Sequence, residues 1–175
     1  MSADSFCSLI FVHIEKCKKL DKIFPSHIEG WYESLENLKV VECPLVEVIF
    51  EIKDSEQRDA YGGIDTNLQS VFLDELPMLK QVWSIDPNGI LNFKKLQSIN
   101  VSYCKKLRNV FPISVAKDVQ KIEYMSVTYC DRMVEIVACE DGLEASNEPL
   151  VFPELSNMKL CYLENINVLV WEDML

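Results

Sequence analysis

Seven cysteines and two histidines are the side chains with most chemical potential in this 175-residue chain. Cys17, Cys43, Cys104 and Cys130 invite a zinc reading. A zinc site, however, usually takes two ligands within about two to four residues of each other, and these four are much further apart. Cys139 stands in an acidic stretch, where neighbouring negative charge raises a thiol pKa and weakens a nucleophile. His13 falls on an alternating apolar segment and His27 beside a proline turn. Neither has the nucleophile-and-base neighbourhood that covalent catalysis requires. "AYGGID" (60–65) is not a phosphate loop, and no G-x-x-x-x-G-K-[ST] occurs anywhere. "NVS" at Asn100 is a glycosylation sequon, but it sits within a strand pattern and reads as chance. The residues therefore imply no enzyme, no metal and no cofactor.

What the cysteines do share is position. "HIEKCKKLDKIFP" (13–25) and "VSYCKKLRNVFP" (101–112) are one phrase written twice, with Cys17 and Cys104 at equivalent places. A shift of 87 residues also pairs Cys43 with Cys130, Pro25 with Pro112 and Leu76 with Leu163, without a gap. Each block, 1–87 and 88–175, divides into three units on the template L-x-x-L-x-L-x-x-C/L-x-x-L-x-x-L. This is leucine-rich-repeat grammar. The central x-L-x-L-x alternates, so each unit predicts a short strand with one buried face. One unit cannot bury that face alone; stacking pairs the strands in parallel and joins their cores. The predicted fold is α/β: a leucine-rich-repeat solenoid, a right-handed β-α superhelix, with a concave parallel sheet of about six short strands. In that setting each cysteine is a small buried residue closing a strand. "SHIEGWYESL" and "ISVAKDVQKI" read as short helices on the returning side, with Ser26 and Ser114 as candidate caps. Two acidic excursions, 50–67 and 137–154, read as protruding loops.

Composition limits the partners. A net charge of −11 argues against a nucleic-acid binder. Residues 1–87 hold 16 acidic and 8 basic side chains, and 88–175 hold 12 and 9. No apolar run reaches membrane-spanning length. The start "MSADSFCSLIFVHIEKCKK" has no signal-peptide pattern, so a cytoplasmic or nuclear location with reduced thiols is expected. The whole chain, 1–175, reads as one domain. Its ends lack polar caps, which is expected of part of a longer array.

The strand x positions form the expected protein-binding face. Those singled out are Phe11, His13 and Glu15 in the first unit, Lys39 in the second, and Phe72 and Asp74 in the third. Asn100 and Tyr103, then Ser126 and Tyr129, then Lys159 and Tyr162 complete them in the second block. The three tyrosines share a column and predict an aromatic stripe roughly 10 Å long, at about 4.8 Å per strand. Such a stripe either contacts a protein partner or merely covers the ladder.

The segments "LPMLKQVW", "NFKKLQSINVSYCKKLRNVFPISVAK" and "MVEIVACEDG", with the weaker copy "SFCSLIFVHIEKCKKLDKIFPS", carry a further resemblance. Over nearly its whole length the chain resembles the C-terminal leucine-rich repeats of plant intracellular disease resistance proteins, the coiled-coil, nucleotide-binding class. That resemblance implies a recognition module in defence, whose partner is a pathogen effector, a guarded host protein or the receptor's own nucleotide-binding domain. It does not carry nucleotide binding to these residues, which lack the phosphate loop. The alternative is the substrate-recognition subunit of a ubiquitin ligase, although its "C-x-x-I-T-D" flavour is not seen.

Overall fold

The computed structural model describes residues 8–25, 30–52, 63–138 and 150–167. In chain order the strands are β1 (Phe11–Glu15), β2 (Lys22–Phe24), β3 (Asn37–Val41), β4 (Val48–Phe50), β5 (Ile64–Asp65), β6 (Ser70–Asp74), β7 (Gln81–Trp83), β8 (Leu91–Asn92), β9 (Ser98–Ser102), β10 (Tyr124–Thr128) and β11 (Asn157–Cys161). The helices are α1 (Trp31–Ser34) and α2 (Ile113–Asp118).

Alternating patterns such as "NLKVV" and "SINVS" become the main sheet. It is six-stranded, in the order β1-β3-β6-β9-β10-β11, with every neighbouring pair parallel. Register holds without a slip: Ile14, Val40, Leu73, Val101, Val127 and Leu160 follow one another across the six strands. A one-residue slip would turn this whole row to the opposite face, so its burial fixes the pairing. The four inner members of the row are fully buried. Each contributes roughly 1.5–3 kcal/mol of apolar burial. Ile14 and Leu160, in the terminal coils, are only partly buried.

The returning side carries a second sheet that the sequence pattern did not announce. β2, β4 and β7 pair in parallel. Their sequences, KIF, VIF and QVW, are β-branched and aromatic, which suits short strands. From the last residues of these strands a row of rings runs through the molecule. Phe24 lies 5.6 Å from Phe50, Phe50 lies 6.0 Å from Trp83, and Trp83 lies 5.9 Å from Phe111, which reaches Phe152 at 6.5 Å.

Both helices are shorter than the sequence suggested. α1 begins only after Gly30, whose φ of 88° is open to glycine at little steric cost. Ser26 lies outside the described residues. Ser114 is not the cap of α2; Pro112 holds that position with no side-chain cap of its own. Asp86 of the preceding coil does the capping instead. Its carboxylate accepts the Ser114 backbone N–H at 3.3 Å and also the Ser114 hydroxyl. A carboxylate at a helix N-terminus satisfies free N–H groups and opposes the helix dipole. Most of the two acidic excursions, 53–62 and 139–149, lies outside the described residues.

Candidate protein-binding face

The outward rungs of the main sheet build the face. The register sets one row as Phe11, Asn37, Ser70, Ser98, Tyr124 and Asn157. The next is His13, Lys39, Phe72, Asn100, Ser126 and Lys159. The third is Glu15, Val41, Asp74, Ser102, Thr128 and Cys161. All the residues singled out from the sequence fall on these rows, except the three tyrosines.

Tyr103, Tyr129 and Tyr162 stand one residue beyond the strands, in a column of their own. Lys16, Glu42 and Glu75 precede them in it. All six have left-handed backbones, with φ between 51° and 57°. A non-glycine residue there costs about 1–2 kcal/mol, so six in line need a common cause. The cause is in the hydrogen bonding. The N–H of Lys16, Glu42, Glu75, Tyr103 and Tyr129 each donates to the last strand carbonyl of the next coil, at 3.0–3.1 Å. The left-handed residue thus adds a rung to the ladder while turning the chain off the sheet.

The recurring thiol position belongs to the same device. Cys43 donates to the Val41 carbonyl at 3.3 Å, Cys104 to Ser102 at 3.4 Å and Cys130 to Thr128 at 3.4 Å. Those carbonyls already accept the N–H of Lys16, Glu75 and Tyr103. A carbonyl has two lone pairs, and the thiol takes the second. Cys43, Cys104 and Cys130 are fully buried as structural residues. Cys17 departs from that reading: it is exposed in the first coil. Burial pushes the Cys43 thiol up. The Cys104 thiol is held well above its usual value, first by the neighbouring Cys130 sulfur and then by burial. The neighbouring Cys104 sulfur lowers the Cys130 thiol in turn. Among the described residues no group of three His, Cys, Asp or Glu side chains is arranged to hold a metal ion.

Because the six backbones match, the tyrosine rings leave the turn in parallel. Tyr103 and Tyr129 stack at 4.5 Å with 3° between planes; Tyr129 and Tyr162 stack at 4.4 Å with 10°. Tyr162 is 67% exposed and Tyr103 43%. Burial, and then its two tyrosine neighbours, raise the Tyr129 phenol above its ordinary value. The rings form a continuous apolar wall with hydroxyl tips, a composition suited to protein contact.

The opposite end of the face is ionic. Lys16 bridges Glu15 at 3.0 Å and Glu42 at 3.5 Å, and His13 lies 3.5 Å from Glu15. The Lys16 hydrogen bond holds the Glu15 carboxyl below its ordinary value and raises the Lys16 ammonium in return. Between the ends, Lys39 lies over the Phe72 ring at 5.4 Å. Asp74 accepts the Ser102 hydroxyl at 2.5 Å.

Two expectations change. Ser126 holds an outward position on the sheet, yet it is 3% exposed. Its short side chain sits between the longer Asn100 and Lys159 in the register. Thr128 is also buried, at the foot of the tyrosine column. Asn100 sits mid-strand in β9 and is only partly exposed. Phe11, His13, Glu15 and Lys159 are exposed, while Lys39, Phe72, Asp74 and Tyr129 are half-buried. The left-handed column carries no signature that alternation alone would show. Its one sequence signal was the position shared by three tyrosines.

A family model described as "Plant disease resistance protein RPS2-like, leucine-rich repeats" matches residues 1–131. No curated protein and no solved structure matches the chain. Among the described residues, no helix is long and apolar enough to cross a membrane.

Proposed function

This chain belongs to the leucine-rich-repeat family of RPS2-like plant disease resistance proteins, and from that premise we propose that it is the recognition module of a plant immune receptor of the nucleotide-binding type. Its reading surface is the outward side of the main sheet, which we take as the inner wall of a right-handed solenoid. The partner is a protein: a pathogen effector, a host protein under guard, or the receptor's own nucleotide-binding domain. The module works in the cytoplasm or nucleus and does no chemistry of its own.

The observation that carries the reading is the stacked tyrosine column beside a family match to resistance-protein repeats. Three preorganised rings lose little conformational freedom on binding, so their contact area is available to a partner at low entropic cost. The ionic end, with His13, Glu15 and Lys16, contributes orientation and rate more than affinity. The same family match favours this reading over a ubiquitin-ligase subunit.

A pull-down from plant extract tests it. The wild-type chain is compared with the variant Tyr103→Ala/Tyr129→Ala/Tyr162→Ala, both checked for retained fold by circular dichroism. Loss of specific partners in the folded variant is the expected result. An unchanged set of partners removes the column from the binding surface.

A further inference from the structure

Four cations converge on the flank of the stack, in a chain whose net charge is −11. Lys80, Lys106, Arg108 and Arg132, together with Gln81, line an open cleft of about 480 Å³. The repeat places them there. Leu79, Leu107 and Met133 are buried anchors at one template position in three successive coils. Lys106 and Arg132 immediately precede two of these anchors, and Lys80 and Arg108 immediately follow two. The coils are tied at this level by backbone hydrogen bonds from Lys80 to Glu47 and from Val134 to Arg108, each 2.9 Å. Two short columns of cations therefore stand side by side, about 4.8 Å apart along the stack.

Glu47 neutralises Lys80 at 2.8 Å. Among the described residues, no carboxylate comes within 4.0 Å of Lys106, Arg108 or Arg132, although Asp131 and Glu135 flank Arg132 in sequence. Like charges lining one cleft repel one another, and a bound anion relieves that repulsion. An extended polyanion, such as a nucleic acid or an anionic membrane, would also meet the surrounding acidic surface. A compact one meets only the local cluster, since screening confines its field to about 8 Å.

We propose that this cleft binds a compact, freely diffusing polyanion carrying two or more phosphate groups. Arg108 and Arg132 supply planar forks for bidentate contact with phosphate oxygens, and Lys106 adds a point charge, while Lys80 stays paired with Glu47. The site is separate from the tyrosine face and does not depend on the recognition reading.

Calorimetric titration of the full chain with inorganic tripolyphosphate, at low and at high salt, provides the test. The wild type binds tripolyphosphate at least about tenfold more tightly than orthophosphate, and the affinity falls as salt rises. Arg108→Gln/Arg132→Gln weakens binding by about tenfold or more. Lys18→Gln/Lys121→Gln, which removes the same charge from exposed positions elsewhere, leaves it unchanged. Should the glutamine variant melt early, Arg108→Lys/Arg132→Lys decides: it keeps the charge and loses the forks, so weakened binding supports the site and wild-type affinity overturns it. Absence of tripolyphosphate binding by the wild type overturns the proposal. So does an equal loss in the lysine control, or binding confined to phosphatidylserine vesicles.

Discussion

The two halves of the face run on one backbone and present opposite chemistry. Residues Lys16, Glu42 and Glu75 and residues Tyr103, Tyr129 and Tyr162 share the same left-handed turn, and the first five of the six make the same ladder contact. In the first half the column is ionic and solvated; in the second it is a stack of rings 4.4–4.5 Å apart. The turn geometry is therefore set by the stack, and the side chain placed on it is free to specify what the surface attracts. The same contrast appears among the thiols. Cys17 and Cys104 open identical "CKKL" phrases, yet one is exposed and the other fully buried. Cys104 has a described coil on each side and Cys17 on one only.

That last difference predicts the largest effect. Iodoacetamide alkylation of the native chain, followed by peptide mapping, labels Cys17 about a hundredfold or more faster than Cys104, since only an opening of the stack exposes the latter. Equal rates would mean that the coils around Cys104 open as freely as the first coil. A second comparison concerns the ring row, where Phe24 and Phe111 are equivalent by the 87-residue shift. Phe111 is fully buried between Trp83 and Phe152, whereas Phe24 keeps 6% exposure. Phe111→Ala costs about 3–5 kcal/mol in urea unfolding, and Phe24→Ala costs less.

The column itself separates side chain from backbone. Tyr129→Ala forfeits two stacking contacts and keeps the backbone strain, a loss of about 0.5–1.5 kcal/mol for each ring pair. Glu75→Gly relieves the same strain at φ 52° and loses no ring contact. It stabilises by about 0.5–1 kcal/mol, the reverse of a glycine placed in an ordinary strand. A destabilised Glu75→Gly would show that the left-handed column is held by its side chains after all. The smallest effect is electrostatic. The Glu15 carboxyl is depressed by Lys16, so its contribution is present above the ordinary glutamate pKa and fades as pH falls through the lowered folded value. Lys16→Met moves the Glu15 titration, followed by NMR, back up toward its ordinary value. Its stability difference from wild type shrinks at acidic pH and in high salt.

Much of the fold was legible in the chain because burial repeats at fixed intervals. The alternation in "NLKVV" and "SINVS" named the strands, and the template shared by six successive units predicted their parallel stacking. The second sheet was less legible, since three-residue strands such as KIF and VIF are too short for alternation to register. The helix cap was hidden for another reason. Ser114 looked like a cap by local preference, but the acceptor came from Asp86, 28 residues earlier, which only stacking brings alongside. Ser126 shows the limit for the face. Its outward position was readable, but its burial was not, because its neighbours in space, Asn100 and Lys159, lie 26 and 33 residues away in sequence.

The chain alone determined which apolar row packs between the inner coils, and so the number, direction and pairing of the main strands, because apolar periodicity is a local property that every unit must satisfy. Tertiary structure decided what those units share. It aligned six left-handed turns, gave each inner cysteine a carbonyl's second lone pair, stacked three tyrosines and gathered four cations into one cleft. Each of these depends on distances between coils about 4.8 Å apart in space but nearly thirty residues apart along the chain, and no local pattern encodes that.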